Sequence, residues 1–266
     1  MLRRLFPRQS VSPDTGRSRF ETRAPSHQNA LDIFAGGWAS DLSEVLPGAV
    51  SGDMPLFVAD VRPKAAASGL GRNGRLDGMR VLELGPLEGG HSYALEQLGA
   101  DVLAIESNAD AYLKCLIAKE VTAMKARFLL GDVTAFLTAT REHFDLVFAS
   151  GILYHMRDPV TVIENICRIT DRCYVWSHVY DEAIYTGAPL SKVFDPRHPA
   201  MELWQVDYGR SSQLPKFWGG NGAYARWMRA NDMLSLFERH GLKTFDHVPP
   251  DPASKLAAIS FCARRE

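Results

Sequence analysis

The feature that most constrains this chain is residues 80–106, where two short apolar runs flank a glycine turn and a helical pattern. Val81-Leu82-Glu83-Leu84 opens the stretch and suits a buried parallel strand. Gly85 follows, then Gly89-Gly90, and the spacing predicts a helix over 92–98. A second run over 102–105 ends on the acidic Glu106. Strand, glycine turn, helix, strand and terminal acid make the sequence form of a nucleotide-binding βαβ unit. Glycines let the backbone approach a ligand closely, and the first helical turn offers N–H groups with no intrahelical partner. A carboxylate about 20 residues downstream can hold both hydroxyls of a ribose.

The spacing narrows the choice of nucleotide. The dinucleotide fingerprint asks for glycine at its third position, where Leu87 stands, and no Gly-x-x-x-x-Gly-Lys-Ser/Thr occurs anywhere. What remains is Glu83, Gly85, a spacer and Gly89. This resembles motif I of the class I S-adenosylmethionine (SAM) dependent methyltransferases, Asp/Glu-x-Gly-x-Gly-x-Gly, without its middle glycine. A second stretch agrees. Residues 144–148 read as a fourth strand, nearly all apolar, and run into small residues Ala149-Ser150-Gly151. Small residues at such a strand end floor the ligand crevice of an open α/β sheet. Leu153-Tyr154-His155, two residues and Asp158-Pro159 then resemble the same family's Leu-x-His-x-x-Asp-Pro. Asp158 is an N-cap with Pro159 at the first helical position, and Val160, Ile163, Ile166 and Ile169 give that helix one apolar face.

The resemblance implies a Rossmann-like α/β fold: seven strands, mostly parallel, an antiparallel last strand, helices on both faces, and SAM as cofactor. It implies Glu106, followed by Ser107, on the ribose. Asp132, followed by Val133 at the end of strand three (128–130), would face the adenine amino group. Glu83, Gly85, Pro86, Leu87 and Gly89 would surround the amino-acid end, with His91 and Ser92 reaching the methionine carboxylate. Ser150 and Gly151 would form the floor. The string around Tyr154 also resembles the bacterial tRNA wobble-uridine carboxymethyltransferase over nine residues, so carboxymethyl or methyl transfer to a tRNA base is an alternative. An NAD-dependent oxidoreductase and a non-catalytic SAM-binding protein are the others.

For a hydroxyl acceptor a general base is wanted within hydrogen-bond reach. Tyr154, His155 and His178 are the titratable groups at the ends of strands four and five (173–178), and His178 is the candidate base, with Asp181 as its orienting partner. No histidine spacing suggests a metal site.

The rest of the chain frames this unit. Residues 1–29 carry six arginines and three prolines and read as a basic, disordered arm. Residues 30–76 read as a helical extension, with helices over 30–42 and 61–68, that covers the cofactor pocket or packs on the sheet edge. Residues 77–266 form the methyltransferase domain. After Glu106, Asn108 caps a helix whose inward face is Tyr112, Leu113, Leu116 and Ile117. Residues 179–227 form an irregular insertion with nine aromatics, nearly double the density implied by the chain's 10%, and read as a substrate lid carrying Trp204, Trp218 and Trp227. A helix over 231–240 and strands over 243–248 and 257–263 close the chain. Net charge of −1 gives no electrostatic case for nucleic acid or an anionic membrane, so the expected partner is a small-molecule acceptor. Four scattered cysteines suit a reducing compartment, and no transmembrane run is present, so the expected location is cytoplasmic.

Overall fold

In the computed structural model, which describes residues 20–185, 190–199, 201–209, 219–251, 253–254 and 256–266, the apolar runs become the middle of one sheet. β1 (Arg80–Leu84), β2 (Asp101–Glu106), β4 (Leu146–Ser150) and β5 (Arg172–His178) read as nearly continuous apolar stretches because both their faces are covered. β3 (Arg127–Leu130) lies at the sheet edge and leaves Leu129 and Leu130 exposed. With β9 (Lys243–Val248) and β10 (Ala258–Arg264) the order is β3-β2-β1-β4-β5-β10-β9. The first five strands are parallel, and β10 runs antiparallel to both β5 and β9. Strand order reverses between β1 and β4, which opens a crevice at their carboxyl ends.

Alternating side chains feed two cores. Leu82, Leu84 and Val147 face one side, with the buried stripes of α5 (Val133–Ala139), α6 (Pro159–Ile169) and α7 (Ala230–Arg239). Val81, Val102 and Phe148 face the other, with α1 (His27–Leu31), α2 (Arg62–Leu70), α3 (Gly90–Gln97) and α4 (Ala109–Thr122). Asn108 and Asp158 cap α4 and α6 by accepting from the amides of Ala111 and Thr161. Val160, Ile163, Ile166 and Ile169 are all buried, so truncating one to Ala costs about 2–5 kcal/mol.

Several expectations shift. The stripe of α4 is rotated: Ala111, Lys114, Cys115 and Ala118 are buried, while Leu113 and Leu116 are 46% and 38% exposed. The small residues allow close approach to the sheet, and Lys114 is drawn inward by the buried Glu88, 2.9 Å away. No long helix forms over 30–42, because Gly36 turns the chain at φ +72. Instead α1 ends in a 3-10 turn, Asp32–Phe34, and a second turn, Leu42–Glu44, follows. Regular pairing of strand four starts two residues later than expected, since Phe144 makes only an isolated bridge to Thr170.

The insertion is not irregular. β6 (Ser191–Phe194), β7 (Glu202–Asp207) and β8 (Tyr224–Met228) form a separate antiparallel sheet in the order β6-β7-β8. Leu203 lies opposite Met228, and both join the core on the α6 side. Residues 1–19 of the basic arm, and Trp218, lie outside the described residues. Among the described residues no helix is long and apolar enough to cross a membrane.

Candidate active site

The glycine turn after β1 is shaped by close packing. Gly85 has φ +69, and a Cβ there would come within 2.9 Å of Ile152. A Cβ on Gly90 would meet the Leu56 carbonyl oxygen at 2.7 Å, so the N-terminal segment lies directly on the start of α3. Leu87, at the place of the missing glycine, still takes the left-handed conformation, φ +58. That geometry costs a residue with a side chain roughly 1–2 kcal/mol. Its N–H donates to Glu106 Oε2 at 3.1 Å, and its carbonyl accepts from Cys115 Sγ at 3.5 Å. Turn and terminal acid are thereby locked together.

Glu106 ends β2 almost fully buried, and burial raises its pKa. Its Oε1 accepts from the Asn108 amide at 2.8 Å, and the Ser107 amide also bonds to the carboxylate, so both oxygens are oriented by backbone. The carboxylate lines a cavity of about 1140 Å³ across the carboxyl ends of β1, β2, β4 and β5. Of the expected cofactor residues, Gly85, Pro86, Leu87, His91, Glu106, Ser107, Asp132, Val133, Ser150 and Gly151 line it, and so do Tyr154, His155 and His178. The volume lies just above the roughly 300–1,000 Å³ range of ligand pockets, enough for two small ligands side by side.

Glu83, Gly89 and Ser92 do not line it. Glu83 is buried behind the turn, where its Oε2 accepts from Ser92 Oγ and its Oε1 has no hydrogen-bond partner. Burial pushes its pKa up to about 7. Gly89, at φ +84, turns the chain into α3. His91 and Ser92, expected at the methionine carboxylate, are both engaged: Ser92 with Glu83, and His91 with Asp60 Oδ2 at 3.1 Å. Burial keeps the His91 pKa low. Asp132 caps α5 through the Ala135 amide at 2.8 Å, and its second oxygen accepts from Asn221.

At the other end of the cavity, His178 Nδ1 is 3.1 Å from the Ala257 carbonyl oxygen. A carbonyl only accepts, so Nδ1 carries the hydrogen and Nε2 keeps its lone pair. Burial lowers the His178 pKa, which keeps the ring neutral at neutral pH. Asp181 does not orient it; the Asp181 carboxylate accepts from the Ala183 amide instead. The Tyr154 ring lies 4.6 Å from His178 and 4.0 Å from His155, and burial pushes its phenol up to about 12. His155 Nδ1 is 3.0 Å from the Tyr208 hydroxyl, and burial pulls its pKa down to about 4. Trp204 is not on the cavity wall: it stacks on Tyr180 at 3.8 Å, with the Arg229 guanidinium 4.7 Å from its ring. Tyr208, Gly219, Gly220 and Asn221 are the insertion's contribution.

The N-terminal segment covers the cavity, one of the two places the sequence allowed it, but none of its wall residues was singled out in the sequence. Phe34, Met54, Leu56, Asp60 and Arg62 all line the cavity. The segment is tied down by Glu88, which accepts from the amides of Ala39 and Ser40 at 2.7–3.0 Å and pairs with Lys114. The available signal was Asp60-Val61-Arg62-Pro63, two opposite charges at a helix start inside an otherwise weakly polar stretch.

An oriented acid at the end of β2, a glycine turn after β1 and a crevice at the reversal of strand order define a Rossmann-like nucleotide-binding fold. Residues 75–194 match the family model described as a methyltransferase domain. Among solved structures, the chain is similar to the N-terminal domain of EvdMO1 with SAH bound. The TM-score is 0.60 at 22% identity, covering 81% of this chain and 86% of that one. It is also similar to magnesium protoporphyrin IX methyltransferase (ChlM) from Synechocystis PCC 6803 with bound SAH. There the TM-score is 0.54 at 15% identity, covering 77% and 82% of the two chains. TehB from Haemophilus influenzae gives 0.54 at 13% identity, with 89% of this chain and 67% of that one covered. No curated protein matches the sequence. SAM is the cofactor that such a domain uses.

Proposed function

We propose that this protein transfers a methyl group from SAM to a small-molecule acceptor, at oxygen. The observation that carries the reading is that one cavity joins the oriented carboxylate of Glu106 to the free Nε2 side of His178. When bound, SAM supplies an electrophilic methyl on a sulfonium. Glu106 holds the ribose hydroxyls, Asp132 and Val133 border the base, and the turn from Gly85 to Leu87 lies along the sulfur side. His178 takes the proton of the acceptor hydroxyl at Nε2, the neutral ring being the form that burial favours. Tyr154 and His155 shape the acceptor end, and the N-terminal wall excludes water from both halves.

The test has two parts. Titration calorimetry with SAM, with S-adenosylhomocysteine (SAH) and with NAD should give binding for the first two alone. Incubation with methyl-labelled SAM and a panel of hydroxylated small molecules should then yield a labelled methyl ether or ester by mass spectrometry. Binding of NAD in preference to SAH overturns the reading, and transfer to carbon or nitrogen alone overturns the oxygen assignment.

A further inference from the structure

Arg62 enters the cavity from the segment preceding the sheet, and its fork is held in a fixed orientation. Its Nε donates to Asp60 Oδ1 at 2.9 Å and Oδ2 at 3.0 Å, and its Nη2 also donates to Oδ2. The same Oδ2 accepts from His91 Nε2 at 3.1 Å, which anchors the pair to α3. Nη1 donates to Ser150 Oγ at 3.3 Å, and the guanidinium carbon stands 4.9 Å from the Trp176 ring centroid. Asp60 therefore takes the side of the fork made by Nε and Nη2. A guanidinium has five N–H donors. Beyond the bonds to Asp60 and Ser150, Nη1 and Nη2 each keep one N–H. Two parallel donors on a planar edge match a carboxylate. Lys114, the other Lys or Arg among the described lining residues, is committed to Glu88 and the Gly37 carbonyl.

Position supplies the second argument. Arg62 sits over Ser150 at the end of β4 and Trp176 in β5, while Glu106 ends β2 on the far side of β1. Two to three strand spacings separate them, roughly 10–14 Å. That is the reach of an extended nucleoside whose ribose is at one end and whose amino-acid carboxylate is at the other. His91 and Ser92 are spent on Asp60 and Glu83, so they leave that carboxylate to another group.

We propose that Arg62 forms a carboxylate subsite that grips the α-carboxylate of the cofactor's amino-acid tail, with Asp60 and His91 as its positioning residues. The inference rests on the cofactor reading above. It makes the segment before the sheet part of the cofactor site. The rival roles are a strap that only pins this segment to the sheet, and a grip for a carboxylate on the acceptor.

Calorimetry on the full chain with two ligands separates them: SAH, and 5′-methylthioadenosine, which shares the adenosine and sulfur but lacks the amino acid. Arg62→Gln should weaken SAH about 10- to 100-fold, the loss of a bidentate charge-assisted contact, and leave methylthioadenosine within about threefold. Arg62→Lys keeps the charge without the planar edge and should fall between; it also serves if the Gln variant misfolds by circular dichroism. Equal loss of both ligands means a strap, and unchanged SAH affinity moves Arg62 to the acceptor; either overturns the proposal while the cofactor reading stands. Wild-type protein that binds neither ligand overturns both.

Discussion

Glu83 is a carboxyl group in the centre of the molecule with half its hydrogen-bonding capacity unused. Burial lifts its pKa from an ordinary 4.5 to about 7, against the lowering effect of Ser92 and the charge on Arg62. At about 1.4 kcal/mol per unit, the shift corresponds to roughly 3 kcal/mol of folding free energy. The sign follows from proton binding. Between pH 4.5 and 7 the unfolded chain has released this proton and the folded chain still holds it. Stability due to Glu83 is therefore full below the unfolded value and is lost as pH rises through the folded one. Glu83→Gln removes the titration and fits the space. Its amide oxygen can accept from Ser92, and its NH₂ points toward His91 Nδ1, 3.8 Å from the present Oε1, where the bond of Nε2 to Asp60 leaves a lone pair. His155 and His178 titrate with the opposite sign, their lowered values costing stability as pH falls, but they cancel in the difference between variant and wild type. Urea unfolding of both proteins across this range should show the Gln variant gaining about 3 kcal/mol relative to wild type from pH 4.5 to 8. A difference that stays flat with pH refutes the reasoning: Glu83 would then be ionised in the fold or solvated by water reaching Oε1.

Three further outcomes follow from the same geometry. Glu106→Ala should lower SAH affinity at least tenfold, since each charge-assisted hydrogen bond contributes roughly 1.5–3 kcal/mol; unchanged calorimetric affinity removes the ribose assignment. Lys114→Met strands the Glu88 carboxylate without its cation and should cost about 3–5 kcal/mol, with part recovered in Lys114→Met/Glu88→Gln. A thermal melt unaffected by the single change would mean that the Ala39 and Ser40 amides suffice to hold that charge. For a hydroxyl acceptor, His178→Gln should keep SAH affinity within about threefold and lose turnover roughly 10²–10⁴-fold. The wild-type acid limb should lie below the ordinary histidine pKa of 6.5, and an identical pH–rate profile in the variant would make His178 structural.

The strands of the main sheet, their parallel sense and the acid at the end of β2 were legible in the sequence because each is written locally. A strand buried on both faces must be continuously apolar, and a turn that approaches a ligand must contain glycine. The cap at Asp158-Pro159 is local in the same way. Leu87 shows the limit of a motif: the family's glycine is absent, yet the left-handed turn persists because Glu106, 19 residues away, holds its amide. What the sequence did not determine alone is every role that depends on a distant partner. The inward face of α4 is set by Glu88 pulling in Lys114, not by the count of leucines on the helix. Trp204 is aromatic enough for a ligand wall but stacks on Tyr180, and His178 is oriented by the Ala257 carbonyl from β10's approach rather than by nearby Asp181. Asp60 and Arg62 precede the sheet by about 20 residues and carry no motif; folding the N-terminal segment over α3 is what brings their charges into the crevice. Backbone conformation follows local rules of sterics and periodicity, whereas the partner of a buried charge is fixed only when the tertiary fold excludes water and leaves one group in reach.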